Sequence, residues 1–308
     1  MPSPDHSERL YILACDHRAS FRRALFGTEA LSPCLAAKVR DAKSVVLEGL
    51  MWAVEQGVDR ASAGLLMDTE TSSDLVASAK RLSVTVAIPV ERGGGGQVFD
   101  FDHGKAYRQH IERHDPDYAK ALVHYNPDGN EQVNALQRRR LARLSRWTQR
   151  QSRRLLLELL VPATPTQLTA IADDLRRYDA ELRPNLTIRA IEQLREAGVN
   201  PRVWKLEGME TTDDCRRVAA RCQEGLNEGS ISCIVLGRGA DLAQVRRWLA
   251  NAATVPAYRG FAVGRSIWMA PLLNYVAGRA DRAAAVACIG GAYLDLVAGF
   301  EKEGKAGW

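Results

Sequence analysis

The chain has 308 residues, 46% of them hydrophobic and 26% charged, with a formal net charge of +5. That balance suits a globular protein and excludes a disordered, collagen-like or disulfide-stapled chain. No apolar run reaches the roughly 18 residues of a membrane helix. The polar opening MPSPDHSERL lacks the apolar stretch of a signal peptide, so a cytoplasmic protein with no membrane partner is expected.

Eight short segments are rich in aliphatic residues and end at polar or glycine positions. In chain order they are LYILAC (10–15), AGLLMD (63–68), TVAIPVE (85–91), YAKALVHYN (118–126), LLLELLVP (155–162), VWKLEG (203–208), SCIVLGR (232–238) and GFAVGR (260–265). Near-continuous apolar runs of this kind suit parallel strands buried on both faces. Between them the periodicity turns helical. KVRDAKSVVLEGLMWAVEQG (38–57) puts Val45, Val46, Leu50 and Val54 on one face and stops at Gly57. NLTIRAIEQLREAG (185–198) stops at Gly198 in the same way, and DLAQVRRWLANAA (241–253) and an apolar stretch from Trp268 to Phe300 continue the alternation. The prediction is an α/β protein, a single-domain (β/α)8 barrel of the TIM type over residues 1–308. An open doubly wound sheet is the alternative, but no G-x-G-x-x-G turn follows the first strand, and GGGG (93–96) reads as a loop.

Cys15, Cys34, Cys215, Cys222, Cys233 and Cys288 form no C-x-x-C pair and read as buried, reduced thiols. Much of the positive charge falls in QRRRLARLSRWTQRQSRR (137–154). A solvated helix face explains it better than a nucleic-acid patch, so no nucleic-acid partner is expected. His110 and His114 stand four apart with His103 seven residues earlier, a spacing compatible with metal ligands. Their segment is polar throughout, and a solvated helix face is the preferred reading, with no metal or cofactor expected.

In such a barrel the catalytic groups gather at the C-terminal ends of the strands. Lys205, flanked by Val203, Trp204 and Leu206, must pair with a carboxylate or sit neutral. A neutral amine attacks a ketone to form an imine, and the iminium then draws electrons from the adjacent carbon–carbon bond. The competing structural reading is a Lys–Glu pair. Lys120 is a second lysine within a strand, and alternation alone leaves open whether it points inward. Glu158 interrupts the fifth strand, where burial would raise its pKa toward the range useful for proton transfer, or where it neutralises a lysine. Asp16 ends the first strand, followed by His17 and Arg18, and Glu91 and Arg92 end the third. LGRGAD and VGRSIW close the last two strands, where glycine backbone and a helix N-terminus favour an anion. Gly237, Arg238, Gly264 and Arg265 are therefore the candidate phosphate site.

The ordered segments LACDHRASF (13–21), IPVERGG (88–94), FDFDHGKAYRQHIERHDPDYAKALVHYNPDGN (99–130), LLLELLVPATPTQL (155–168), YDAELRPNLTIRAIEQLREAGVNPRVWKLEG (178–208), CIVLGRGAD (233–241) and GFAVGRSIW (260–268) resemble 2-deoxy-5-keto-gluconate 6-phosphate aldolase-type (DUF2090-like) domains of myo-inositol catabolism. More distantly, VWKLEG and LELL are similar to the Schiff-base lysine and catalytic carboxylate segments of class I tagatose-bisphosphate aldolases. The chain departs from the first family at Ala19, where glycine is usual. The resemblance implies a lyase that forms a Schiff base on Lys205 and cleaves a phosphorylated keto sugar acid to dihydroxyacetone phosphate and malonate semialdehyde. It further implies Glu158 and Asp16 as proton carriers, Lys120, Arg18, Glu91 and Arg92 as substrate contacts, and a homo-oligomer. Other readings kept open are another ketose phosphate as substrate (tagatose bisphosphate or a sulfo-sugar phosphate), metal-dependent aldol cleavage, and a catalytically silent barrel that binds a phosphosugar.

Overall fold

The computed structural model describes residues 9–93, 98–225 and 231–306. Eight strands, β1 (Leu10–Cys15), β2 (Ala63–Met67), β3 (Thr85–Pro89), β4 (Tyr118–His124), β5 (Arg154–Leu160), β6 (Val203–Glu207), β7 (Ser232–Leu236) and β8 (Tyr258–Val263), pair in chain order and close on themselves. All pairs are parallel, and helices separate consecutive strands. Closure sets Leu10 opposite Gly260 and Leu13 opposite Val263. Gly260 has φ +155°, and a Cβ there would overlap the Leu10 carbonyl oxygen, so this approach requires glycine. The strands end earlier than the aliphatic segments suggest, because Asp68, Glu91, Asn126, Pro162, Gly208, Arg238 and Arg265 have already turned into loops or a helix. β8 begins two residues sooner, at Tyr258.

Alternation sorts each strand into a face toward the helices and a face toward the barrel axis. Ile12 and Ala14 of β1, Leu66, Ala87, Tyr118, Leu156, Val203, Ile234 and Ala262 form the interior cluster. Two residues further along their strands stand Asp16, Lys120, Glu158, Lys205 and Gly264. The apolar interior thus gives way to a polar layer at the C-terminal mouth. Lys120 faces inward with Lys205, which settles the question that parity left open.

Local chemistry sets the helix ends. Ser32 caps Pro33–Glu55 by accepting the Leu35 N–H, so this helix starts five residues before residue 38, and the chain leaves it through Gly57 at φ +112°. Arg183–Glu196 ends at Gly198, φ +86°, and Asp241 caps Leu242–Ala253 through the Gln244 N–H at 2.8 Å. The apolar stretch after Trp268 is two helices, Arg265–Val276 and Arg282–Ala306, parted by Gly278 at φ +68°. The segment Arg282–Lys305 is long and apolar enough to cross a membrane by length and composition. Here it packs on Pro33–Glu55, Leu242–Ala253 and Arg265–Val276, and its Tyr293 hydroxyl donates to the Tyr11 carbonyl at 2.6 Å.

The arginine-rich segment forms the helix Glu131–Arg150, and its cations do more than meet solvent. Arg140 donates to the Phe99 carbonyl at 2.7 Å, and Gln137 accepts the Phe99 N–H at 2.8 Å while donating to the His124 carbonyl at 3.0 Å. Arg143 lies over the Phe101 ring at 4.9 Å. The helix thereby fastens the 98–101 segment to the barrel mouth. All six cysteines are free; Cys15, Cys215, Cys222 and Cys233 are buried as expected, whereas Cys34 and Cys288 are exposed on outer helices.

Candidate active site

A cavity of about 450 Å³ opens at the C-terminal mouth of the barrel. Asp16, Arg18, Glu91, Arg92, Lys120, Glu158, Lys205, Gly237, Arg238, Gly264 and Arg265 all line it. Eight strands meeting at one end bring together residues separated by up to 249 positions in the chain. Of the glycine run 93–96, Gly93 lines the cavity beside Arg18, and residues 94–96 lie outside the described residues.

A lysine–carboxylate cluster forms the floor. Glu158 and Lys205 are register partners on β5 and β6, with Oε1 and Nζ 2.8 Å apart. The other Glu158 oxygen meets Lys120 Nζ at 2.9 Å, and Lys120 also holds Asp16 at 2.7 Å and Glu91 at 2.6 Å. The two lysines therefore differ: three carboxylates saturate Lys120, while Lys205 has Glu158 as its one ion-pair partner among the described residues. Burial opposes the Lys120 ammonium, but Asp16, Glu158 and Glu91 outweigh it and push its pKa well above the ordinary lysine value. Lys120 stays charged at every physiological pH.

Glu158 departs from the expectation that burial would raise its pKa. Burial does act in that direction, but Lys120 and then Lys205 overcome it, and the carboxyl is held below the ordinary glutamate value. Asp16 behaves alike: burial raises it, and Lys120, Lys205 and His17 hold it far below the usual carboxylate range. Both are ionised, with both Glu158 oxygens and one Asp16 oxygen engaged by lysines, and as resting proton carriers both are weak.

The glycine–arginine turns after β7 and β8 differ from each other. Arg238 donates to both Asp179 oxygens at 2.9 and 2.5 Å and to Glu207 at 3.1 Å, so two carboxylates offset its charge. Arg265 is exposed at the N-terminus of the helix Arg265–Val276; it donates to the Arg238 carbonyl at 3.3 Å and makes no ion pair among the described residues. A phosphate would find its free cation in Arg265 together with the N–H groups that begin this helix. Gly264 lets β8 pass close to β1, since a Cβ there would overlap the Ala14 carbonyl oxygen.

At the rim, Arg18 pairs with Asp102 at 2.8 Å and Arg92, largely exposed, approaches Asp100 at 3.8 Å. The His103 ring stacks on His110 with centroids 3.9 Å apart, and His114 lies tilted against His110 at 4.7 Å. Among the described residues no group of three His, Cys, Asp or Glu side chains is placed to hold a metal ion.

Two features escaped the reading of the strand ends. Asp179, which holds Arg238, lies on a π-helical turn, Tyr178–Leu182, between β5 and β6. Nothing in YDAEL marks such a turn, although π turns often accompany functional sites. The second is His17, in plain view in ACDHR but not singled out. It lines the cavity, and its Nδ1 is buried with no hydrogen-bond partner, 3.9 Å from Asp16 Oδ1. Such an atom costs roughly 1–3 kcal/mol when left unpaired. Burial foremost, with Arg265, Lys205 and Lys120 adding to it against Asp16, pulls the His17 pKa down to about 4. The imidazole is neutral at pH 7.

Comparison with known proteins agrees with this architecture. None of the curated proteins matches the chain. Fructose-bisphosphate aldolase from Plasmodium falciparum, solved with TRAP and a small-molecule inhibitor, superposes with a TM-score of 0.68 at 11% identity over 96% of this chain and 92% of its own. Cgl0159 from Corynebacterium glutamicum superposes with a TM-score of 0.58 at 19% identity over 92% of this chain and 85% of its own. Identities this low carry the fold alone, here the closed eight-stranded barrel. The model of one sequence family, described as an uncharacterized protein conserved in bacteria (DUF2090), matches residues 2–304, and the chain belongs to that family.

Proposed function

We propose that the protein is a class I aldolase that forms a Schiff base on Lys205 and cleaves a phosphorylated keto sugar acid, 2-deoxy-5-keto-gluconate 6-phosphate. The observation that carries this reading is the unequal pairing of the two interior lysines. Lys120 is locked as an ammonium by three carboxylates, and Lys205 stands beside one. Lys205 passes a proton to Glu158, 2.8 Å from Nζ, its neutral amine attacks the C5 ketone, and Glu158 then serves the proton movements that turn the carbinolamine into the iminium. Loss of the C3 hydroxyl proton then breaks the C3–C4 bond and releases malonate semialdehyde. Protonation of the enamine at C4 and hydrolysis free dihydroxyacetone phosphate. Lys120 and Glu91 hold substrate hydroxyls, Arg265 with the backbone of Gly237, Arg238 and Gly264 receives the phosphate, and Arg18 or Arg92 meets the carboxylate.

Borohydride reduction in the presence of dihydroxyacetone phosphate, followed by mass mapping of the modified peptide, tests the reading. A reduced adduct on Lys205, lost in Lys205→Ala, is expected. An adduct on Lys120 would move the nucleophile, and no adduct on either lysine would remove the Schiff-base mechanism.

A further inference from the structure

We propose that His17 is the catalytic base of the carbon–carbon cleavage, taking the proton from the reacting hydroxyl and returning it to the enamine carbon. The inference rests on the Schiff-base reading of Lys205 and names a group that reading leaves open.

Most of the acceptor lone pairs in the cavity are already committed. Both Glu158 oxygens accept from lysines, at 2.8 and 2.9 Å, and one Asp16 oxygen accepts from Lys120. The buried polar atoms on the cavity wall without a partner among the described residues are His17 Nδ1 and Glu91 Oε2. Glu91 is tied to the Lys120 ammonium through its other oxygen at 2.6 Å. The imidazole has no such cation bound to it among the described residues, so its lone pair is the less committed of the two.

The ring is also held in place. Trp268 meets it edge-on with centroids 5.6 Å apart, and the Trp268 indole N–H donates to the Ala14 carbonyl of β1 at 2.8 Å. Beneath, Lys43, buried with Asp68, donates to the His17 backbone carbonyl at 3.1 Å. Packed against Trp268 and anchored through its backbone carbonyl, the imidazole lies on the cavity wall with Nδ1 buried and unpartnered, an acceptor that a substrate hydroxyl would satisfy.

The step balances without an outside reagent. Nδ1 accepts the C3 hydroxyl proton, the O–H electron pair becomes the second bond of the aldehyde carbonyl, and the C3–C4 pair moves to form the C4=C5 enamine. The positive charge passes from the iminium to the imidazolium. After the aldehyde leaves, the enamine pair takes the same proton at C4, the iminium returns, and the imidazole is neutral again. Water then releases dihydroxyacetone phosphate and the Lys205 amine.

The test runs the last part backward. Wild-type protein and His17→Gln are incubated with dihydroxyacetone phosphate in deuterium oxide, exchange at the hydroxymethyl carbon is followed by NMR, and each is trapped with borohydride in parallel. His17→Gln is expected to keep the Lys205 adduct, which shows an intact site, while exchange falls at least about 100-fold. Exchange in His17→Gln at the wild-type rate would overturn the proposal. Absence of the adduct in wild-type protein would remove the Schiff-base reading, and the role of His17 with it; adduct in both proteins with unchanged exchange would remove only the role of His17.

Discussion

Replacing Lys120 by methionine would leave Asp16, Glu91 and Glu158 facing one another around a missing charge, whereas replacing Lys205 leaves Glu158 still paired with Lys120. Breaking a buried pair by removing one partner destabilises by about 3–5 kcal/mol. Lys120→Met is therefore expected to lower the urea midpoint markedly more than Lys205→Met, although Lys205→Met alone should erase the borohydride adduct. Equal midpoints would mean that the carboxylates repartner. The arginines divide in the same manner. Among the described residues Arg265 pairs with no carboxylate, whereas Arg238 pairs with two. A hydrogen bond to a charged group contributes about 1.5–3 kcal/mol, so Arg265→Met is expected to weaken phosphosugar binding roughly 10- to 100-fold. Arg238→Met should act mainly on stability, a split that KM values and unfolding curves read directly. Gly264→Ala forces a methyl against the Ala14 carbonyl and is expected to lose about 1–3 kcal/mol or more.

Among the elements, the π turn Tyr178–Leu182 has the least local reason to exist and a clear consequence. It places Asp179 where it bonds Arg183 at 2.8 Å and Arg238 together. Arg183 is fully buried, with the Gly208 carbonyl, 2.8 Å away, as a further acceptor. Asp179→Ala is expected to lose about 3–5 kcal/mol in urea unfolding, because a guanidinium would remain inside without its counter-charge. The contrast with the strands explains what could be read in advance. A strand buried on both faces is written as a run of aliphatic side chains, so all eight were visible, and a lysine or glutamate interrupting such a run was visible with them. Helix starts at Asp241 and stops at Gly57 and Gly198 were legible because capping is local. The partner of Arg238 was not, since Asp179 lies 59 residues away and reaches it through a turn without a sequence signature. Nor could sequence foresee that Glu158 would be acidified: its sign depended on whether Lys120 pointed inward.

The folded molecule as a whole withholds protons from several histidines. Burial pulls the pKa values of His17 and His110 down to about 4 and lowers those of His114 and His124. In the unfolded chain these groups titrate near 6.5, so the unfolded state binds protons first as the pH falls. Stability present above pH 6.5 is therefore expected to drain away between about 6.5 and 4. Asp16, Glu158 and Asp179 have lowered folded values, and their contribution persists above about pH 4 and is lost only below it. Thermal unfolding across this range should show the two phases, and His17→Gln should flatten the first. A profile without decline between pH 6.5 and 5 would mean that the histidines are protonated in the fold.

The proposed nucleophile and its carboxylate come from the adjacent strands β6 and β5, and the proposed base comes from the end of β1. A planar enamine lying between them has one face toward the ring and the other away from it. Its two faces are then no longer equivalent, and the barrel becomes a stereochemical template. Deuterium from solvent is expected to enter one of the two hydroxymethyl positions of dihydroxyacetone phosphate and leave the other untouched, and carbon–carbon bond formation in reverse should yield a single configuration at C4.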